Sequence, residues 1–138
     1  MVQNHHPSSR LPVSQRSVRA LVSRVIRNEK SKLCSLEVNF VDNFSIKKIN
    51  KKFLNHNFYT DIITFPYNNS KNGLDGEIVI SLDMVKKNAV SYGVAYKQEL
   101  KRVIIHGCLH LTGYDDKTKS DQELIRCKEN SYMGIKKV

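Results

Sequence analysis

The run from His106 to Asp116, His-Gly-Cys-Leu-His-Leu-Thr-Gly-Tyr-Asp-Asp, constrains this chain more than any other stretch. His106 and His110 stand four residues apart, a spacing that puts both imidazoles on one helix face, one turn apart. Two neutral imidazoles held this way can clamp a divalent metal. Gly113 then ends the helix, as glycine just past a last turn does, and the chain can turn back with a third donor. Asp116 is the best placed candidate, with Asp115 as its competitor. Two imidazoles, one carboxylate and a place for water describe a catalytic zinc site rather than a structural one.

Each residue also has a plain reading. A single helical histidine is more often packed or exposed than ligating, and two aspartates after a glycine are ordinary turn residues. It is the combination that points to a metal. Cys108 lies about 200° around the helix from His106, so it is expected in the core as a small apolar group. Gly107 occupies the position where zinc proteases carry their general base, Glu. With no side chain there, peptide hydrolysis by that route is disfavoured. A bound ion can still acidify its own water, to a pKa of about 7. Glu99, seven residues before His106, falls on nearly the same stripe. It is either a proton-handling or supporting group at the site, or simply an ion-pair partner of Arg102 at i+3.

The charge balance adds a second constraint. Lys and Arg number 23 against 13 Asp and Glu, for a net charge of +10. Such an excess calls for a polyanionic partner, nucleic acid first. A lysine-rich solvated surface would look the same, but a metal site on a strongly basic domain favours a phosphodiester substrate. Three widely spaced cysteines, Cys34, Cys108 and Cys127, suggest a reducing compartment rather than a disulfide framework. No apolar run approaches the ~20 residues of a membrane span. The polar start, with Pro7 and Pro12, does not read as a signal peptide. A cytoplasmic location with no membrane partner is the expectation.

One domain is expected over residues 1–138, with residues 1–12 unstructured and His5 and His6 incidental. Val18, Leu21, Val22, Val25 and Ile26 predict a helix over 13–30 with Ser14 as cap. Leu33–Val41 reads as a strand. Residues 44–54 read as a helix after an Asp42-Asn43 turn, with Lys47, Lys48, Lys51 and Lys52 outward. Thr60–Phe65 is β-branched and aromatic, a strand ended by Pro66. Gly76–Ser81 is its expected antiparallel partner across a polar loop. Helices follow over about 83–92, 96–112 and 119–133, the last capped by Ser120. The sum is an α+β fold: a small mixed β-sheet packed with about five helices, the metal site at the C-terminal end of a central helix.

The His-Gly-x-Leu-His-Leu-x-Gly-Tyr-Asp run resembles that of the bacterial YbeY family, single-strand-specific endoribonucleases that mature ribosomal RNA. The similarity covers about residues 38–132. Three further segments agree in order: Ile49-Asn50 followed by Thr60-Asp61-Ile62-Ile63-Thr64-Phe65-Pro66; Gly76-Glu77-Ile78-Val79-Ile80-Ser81; and Tyr92-Gly93 with Glu99-Leu100. The resemblance implies a ribonuclease using Zn2+, one per chain, or another divalent metal. It implies action at the 3′ end of 16S rRNA and in ribosome quality control. His106 and His110 carry over as ligands. Two positions depart from the family pattern. Asp116 stands where a third His is usual, an acceptable oxygen ligand. Leu54 stands where an Arg is usual, and leucine cannot engage phosphate.

The resulting expectation is RNA phosphodiester hydrolysis. His106, His110 and Asp116 would hold the metal, and His106, His110 and Glu99 would serve catalysis. Lys51, Lys52, His56 and Arg102 would contact RNA, and Tyr59, Phe65 and Tyr67 could stack unpaired bases, although packing in the core beside the strand is the expected role of Phe65. The partners would be single-stranded ribosomal RNA and the small ribosomal subunit. The alternative is a metal-stabilised ribosome-assembly or RNA-binding factor with little or no cleavage of its own.

Overall fold

A computed structural model of the chain describes residues 1–54, 60–70 and 73–135, with the side chains of 68–70 excepted. Four strands form one sheet: β1 (Val2–Asn4), β2 (Leu33–Val41), β3 (Ile62–Ser70) and β4 (Gly73–Ser81), in the order β1-β2-β4-β3. β1, β2 and β4 run parallel, and β3 pairs antiparallel with β4 as an edge strand. Five helices are described: α1 (Gln15–Asn28), α2 (Asn43–Leu54), α3 (Leu82–Tyr92), α4 (Tyr96–Leu111) and α5 (Lys119–Tyr132).

Strand alternation sorts the apolar residues onto two faces. Leu36, Val38, Phe40, Leu74, Ile78 and Ile80 point into the larger core, with the buried sides of α1, α4 and α5. Val41, Ile63 and Val79 point the other way, beneath Ile46 of α2. α4 carries the largest buried load, including Leu100, Val103, Ile104, Ile105 and Leu109. Each such aliphatic side chain contributes about 1.5–3 kcal/mol by leaving water. α4 lies close on the hairpin because Gly107 faces it: a Cβ there would come 2.6 Å from Ile62 Cδ1 and 3.2 Å from Ile78 Cδ1. The position that carries a general base in zinc proteases is thus a packing contact, where a glutamate would have to displace the Ile62 side chain.

The expected helices form with nearly the expected bounds, and Ser14 and Ser81 cap α1 and α3. Three local readings need correction. The first residues are not unstructured. β1 adds to the β2 edge in register Val2↔Val38, and Val2 is buried. His6 bonds Asp83 Oδ1 through Nε2 at 2.8 Å, while its Nδ1 accepts from the Ser8 and Ser9 amides. A three-residue strand is too short to show periodicity, so its pairing comes from the ladder groups that β2 leaves open. Pro66 does not end β3, because an edge strand needs no donor on its outer side. A register shift between Pro66 and Asn68 follows it. Thr118, not Ser120, caps α5, in a reciprocal capping box with Asp121. The expected mixed sheet is realised by parallel pairing of β1, β2 and β4 beside the antiparallel β3.

Placing a charge at Val2 tests the reassigned start. Val2→Asp is expected to cost roughly 2 kcal/mol or more of unfolding free energy, since its carboxylate would be buried without a partner. The exposed neighbour change Gln3→Asp is expected to cost little; chemical denaturation of both variants reads the difference.

Candidate metal centre

α4 ends in a Schellman turn: Tyr114 N–H donates to Leu109 O and Gly113 N–H to His110 O, with Gly113 at φ 111°. The turn sends the chain back toward the histidine face. Tyr114 is held from the far side, its hydroxyl donating to Glu29 Oε1 at 2.5 Å, while Tyr132 and Lys128 also reach Glu29. Burial raises the Glu29 pKa, but the two phenols and the lysine outweigh it and leave the carboxyl below its ordinary value. Gln122 Nε2 donates to Asp116 O, which ties the loop to α5.

Three side chains converge there. His106 Nε2 and His110 Nε2 lie 3.0 Å apart, and Asp116 Oδ2 is 3.4 Å from the latter and 3.8 Å from the former. One ligand atom from each falls within 4.8 Å of the others, a spacing that could hold a metal ion. Between the competing aspartates the geometry selects Asp116. Asp115 instead accepts from the Asp116 amide and lies 4.0 Å from Lys117. The imidazoles are about a fifth exposed and Asp116 about half, so solvent and a substrate can reach the group. Cys108 is fully buried, and burial pushes its thiol up to about 12, as suits an inert core group.

One residue of this arrangement was missed in the sequence. Glu129 of α5, 1% exposed, accepts from His106 Nδ1 at 2.7 Å and from Arg102 at 3.2 Å. A carboxylate can only accept, so His106 carries its proton on Nδ1 and turns the Nε2 lone pair toward His110 and Asp116. This is the supporting contact expected of a ligating imidazole, and it is the observation that the residues fit a metal. A signal existed: Ile125 and Glu129 are the buried residues of α5, one turn apart, so an acid sits where the stripe calls for an apolar group.

Glu99 is also 1% exposed and forms a two-bonded fork with Arg102, 2.9 Å at Nε and 2.5 Å at Nη2. Of the alternatives for Glu99, the structure shows the ion pair. Arg102 in turn bridges Glu99 and Glu129, and Glu99 foremost holds its guanidinium pKa above the ordinary value. Asp61, just before β3, lies near this network: burial pushes its carboxyl up, against the charges of Arg102 and His106. Lys51 and Lys52 are exposed on α2, across the sheet from α4, and are not brought to the histidines. His56 and Tyr59 lie outside the described residues.

Known proteins resemble this chain over most of its length. The profile of the family described as Endoribonuclease YbeY matches residues 2–135. The chain belongs to the YbeY family. Curated relatives named Endoribonuclease YbeY include one from Cytophaga hutchinsonii, 39% identical over 87% of this chain and 84% of the relative. Another, from Amoebophilus asiaticus, is 45% identical over 81% and 76%. The solution structure of TM1509 from Thermotoga maritima superposes with a TM-score of 0.63 at 25% identity, covering 97% of this chain and 90% of the other. Membership in the YbeY family agrees with both the resemblance of the histidine run and the mixed sheet with five helices.

Glu129→Gln keeps the shape but removes the negative acceptor of His106. Its affinity for a divalent ion, read by calorimetric titration, is expected to fall about 10–100-fold. An unchanged affinity would mean that His106 needs no such support.

Proposed function

We propose that the chain is a metal-dependent endoribonuclease that cleaves single-stranded RNA, with Zn2+ held by His106, His110 and Asp116. The convergence of those three side chains on one point carries the reading. Its relatives bear the name endoribonuclease, and the net charge of +10 suits a polyanionic substrate. Among the described residues no helix is long and apolar enough to cross a membrane. Cytoplasmic action on the 3′ end of 16S rRNA, at the small ribosomal subunit, is the setting that the family resemblance suggests.

The ion would supply Lewis acidity toward a phosphoryl oxygen and an acidified water. The protein's part is to fix the donors. Glu129 sets the His106 tautomer, and Glu29 anchors the loop that brings Asp116. Glu99 is assigned a positioning role, holding the Arg102 fork that also meets Glu129. Arg102, committed to two carboxylates, braces the site instead of gripping phosphate. Lys51 and Lys52 remain the proposed phosphate contacts.

A second reading keeps one specific observation in its favour. Leu54 is 44% exposed at the family's usual Arg position, and Arg102 is tied down, so neither position offers a guanidinium to the scissile phosphate. On that reading the protein is a ribosome-assembly factor whose metal is structural.

His110→Ala separates the two. With zinc, nickel or manganese supplied in turn, the nuclease reading expects single-stranded RNA cleavage to drop by more than about a hundredfold in the variant. RNA binding without turnover by the unaltered protein under all three metals would favour the assembly factor.

A further inference from the structure

Across the sheet from the histidines, three aromatic rings form a continuous row. Phe53, at the end of α2, meets Phe65 of β3 edge-on, with centroids 5.8 Å apart. Phe65 stacks on Tyr67 at 6.4 Å with an interplanar angle of 11°. Phe53 and Tyr67 are 61% and 65% exposed. Aromatic surface of this extent left in water is costly unless something covers it. The row is also fixed in place. Tyr67 donates its hydroxyl to Glu77 Oε1 at 2.8 Å, and Asn39 Nδ2 donates to Glu77 Oε2 at the same distance. Lys52 Nζ lies 5.3 Å from the Phe53 ring centre, and Lys51 is exposed beside it. α2 contains no acidic residue. The carboxylates nearby, Glu37 and Glu77, are on the inner strands, so a polyanion is drawn to the α2 side of the row.

Rigid rings bordered by lysines are the elements that bind single-stranded nucleic acid: bases stack on the rings while phosphates follow the cations. The row also has a geometric relation to the metal group. Pro66, between Phe65 and Tyr67, pairs with Gly76, and Leu111 at the end of α4 lies on Gly76 from the opposite face. The aromatic row thus lies at the β3 edge of the sheet, on the face opposite α4, whose last turn carries His110.

We infer that Phe53, Phe65 and Tyr67, with Lys51 and Lys52, are a base-stacking anchor for single-stranded RNA, which passes around the β3 edge to the metal group. The anchor holds RNA without metal and sets affinity; the histidines act on the phosphodiester. It deepens the ribonuclease reading by locating where the substrate is gripped.

The test is fluorescence anisotropy with a labelled single-stranded oligoribonucleotide and the full chain, in EDTA so that binding alone is read. Phe53→Ala with Tyr67→Ala is expected to weaken binding by about tenfold or more, from the stacking lost at two rings. Tyr67→Phe, which keeps the ring but loses the hydroxyl bond to Glu77, is expected to keep most of the affinity that Tyr67→Ala loses. An abasic strand of equal length is expected to bind equally to the unaltered protein and the double alanine variant. Lys51→Ala with Lys52→Ala is expected to reduce the salt slope by about 1.4. If the double aromatic variant binds the ordinary strand as tightly as the unaltered protein, or Tyr67→Phe loses as much as Tyr67→Ala, the anchor is refuted. His110→Ala, measured alongside, keeps the two ideas apart. Full binding in that variant supports a separate anchor, whereas unimpaired cleavage would sink the metal-site reading and leave the anchor standing.

Discussion

The site depends on a carboxylate in a place where carboxylates are expensive. Glu129 is almost wholly out of water, and burying an unpaired charge costs several kcal/mol. It is tolerated because His106 and Arg102 both donate to it, and Arg102 is itself neutralised by a fork to Glu99. The result is a chain of charge-assisted bonds running from α5 through α4. Such a network adds little net stability over apolar packing, but it permits few arrangements of its members. Its end point is an imidazole with a defined proton and a defined lone pair, one turn from a second imidazole. Positioning, rather than stability, is what this buried charge supplies.

Around that network the fold acts as a clamp from two sides. Gly107 lets α4 settle onto the β3–β4 hairpin, which fixes the level of the histidines. The Schellman turn and the Glu29–Tyr114 contact fix the loop beyond them, so that Asp116 arrives where the resemblance drawn from the sequence alone implies a histidine. An aspartate is shorter than a histidine and offers oxygen in place of nitrogen. The loop here brings that oxygen to within 3.4 Å of His110 Nε2, which makes the substitution structurally workable. It also makes the donor set harder, a change that shifts preference among divalent metals.

Much of the site was legible because local rules decide it. The i, i+4 histidines, the terminating glycine and the returning aspartate all lie within one short run, and the structure brings them together. The helices were legible because each carries a long apolar stripe with capping residues. What was not legible depends on partners distant in sequence. Glu129 gains its meaning from His106, 23 residues away, and β1 from β2, whose paired residues are 36 away. Pro66 reads as a strand terminator until the order of strands shows that β3 is an edge. Arg102 reads as a phosphate contact until Glu129 is seen to claim its second side. Glycine at 107 illustrates both halves. Its lack of a side chain argued against protease chemistry, but the reason it must be small lies in Ile62 and Ile78.

X-ray absorption at the zinc edge, on protein loaded with one equivalent, tests the metal centre most directly. The account predicts a shell of nitrogen and oxygen at about 2.0–2.1 Å, with the outer scattering of two imidazoles. That outer scattering should be diminished in His106→Ala and no sulfur should enter the shell. An oxygen-only shell, a sulfur ligand, or a spectrum indifferent to His106 and His110 would contradict it.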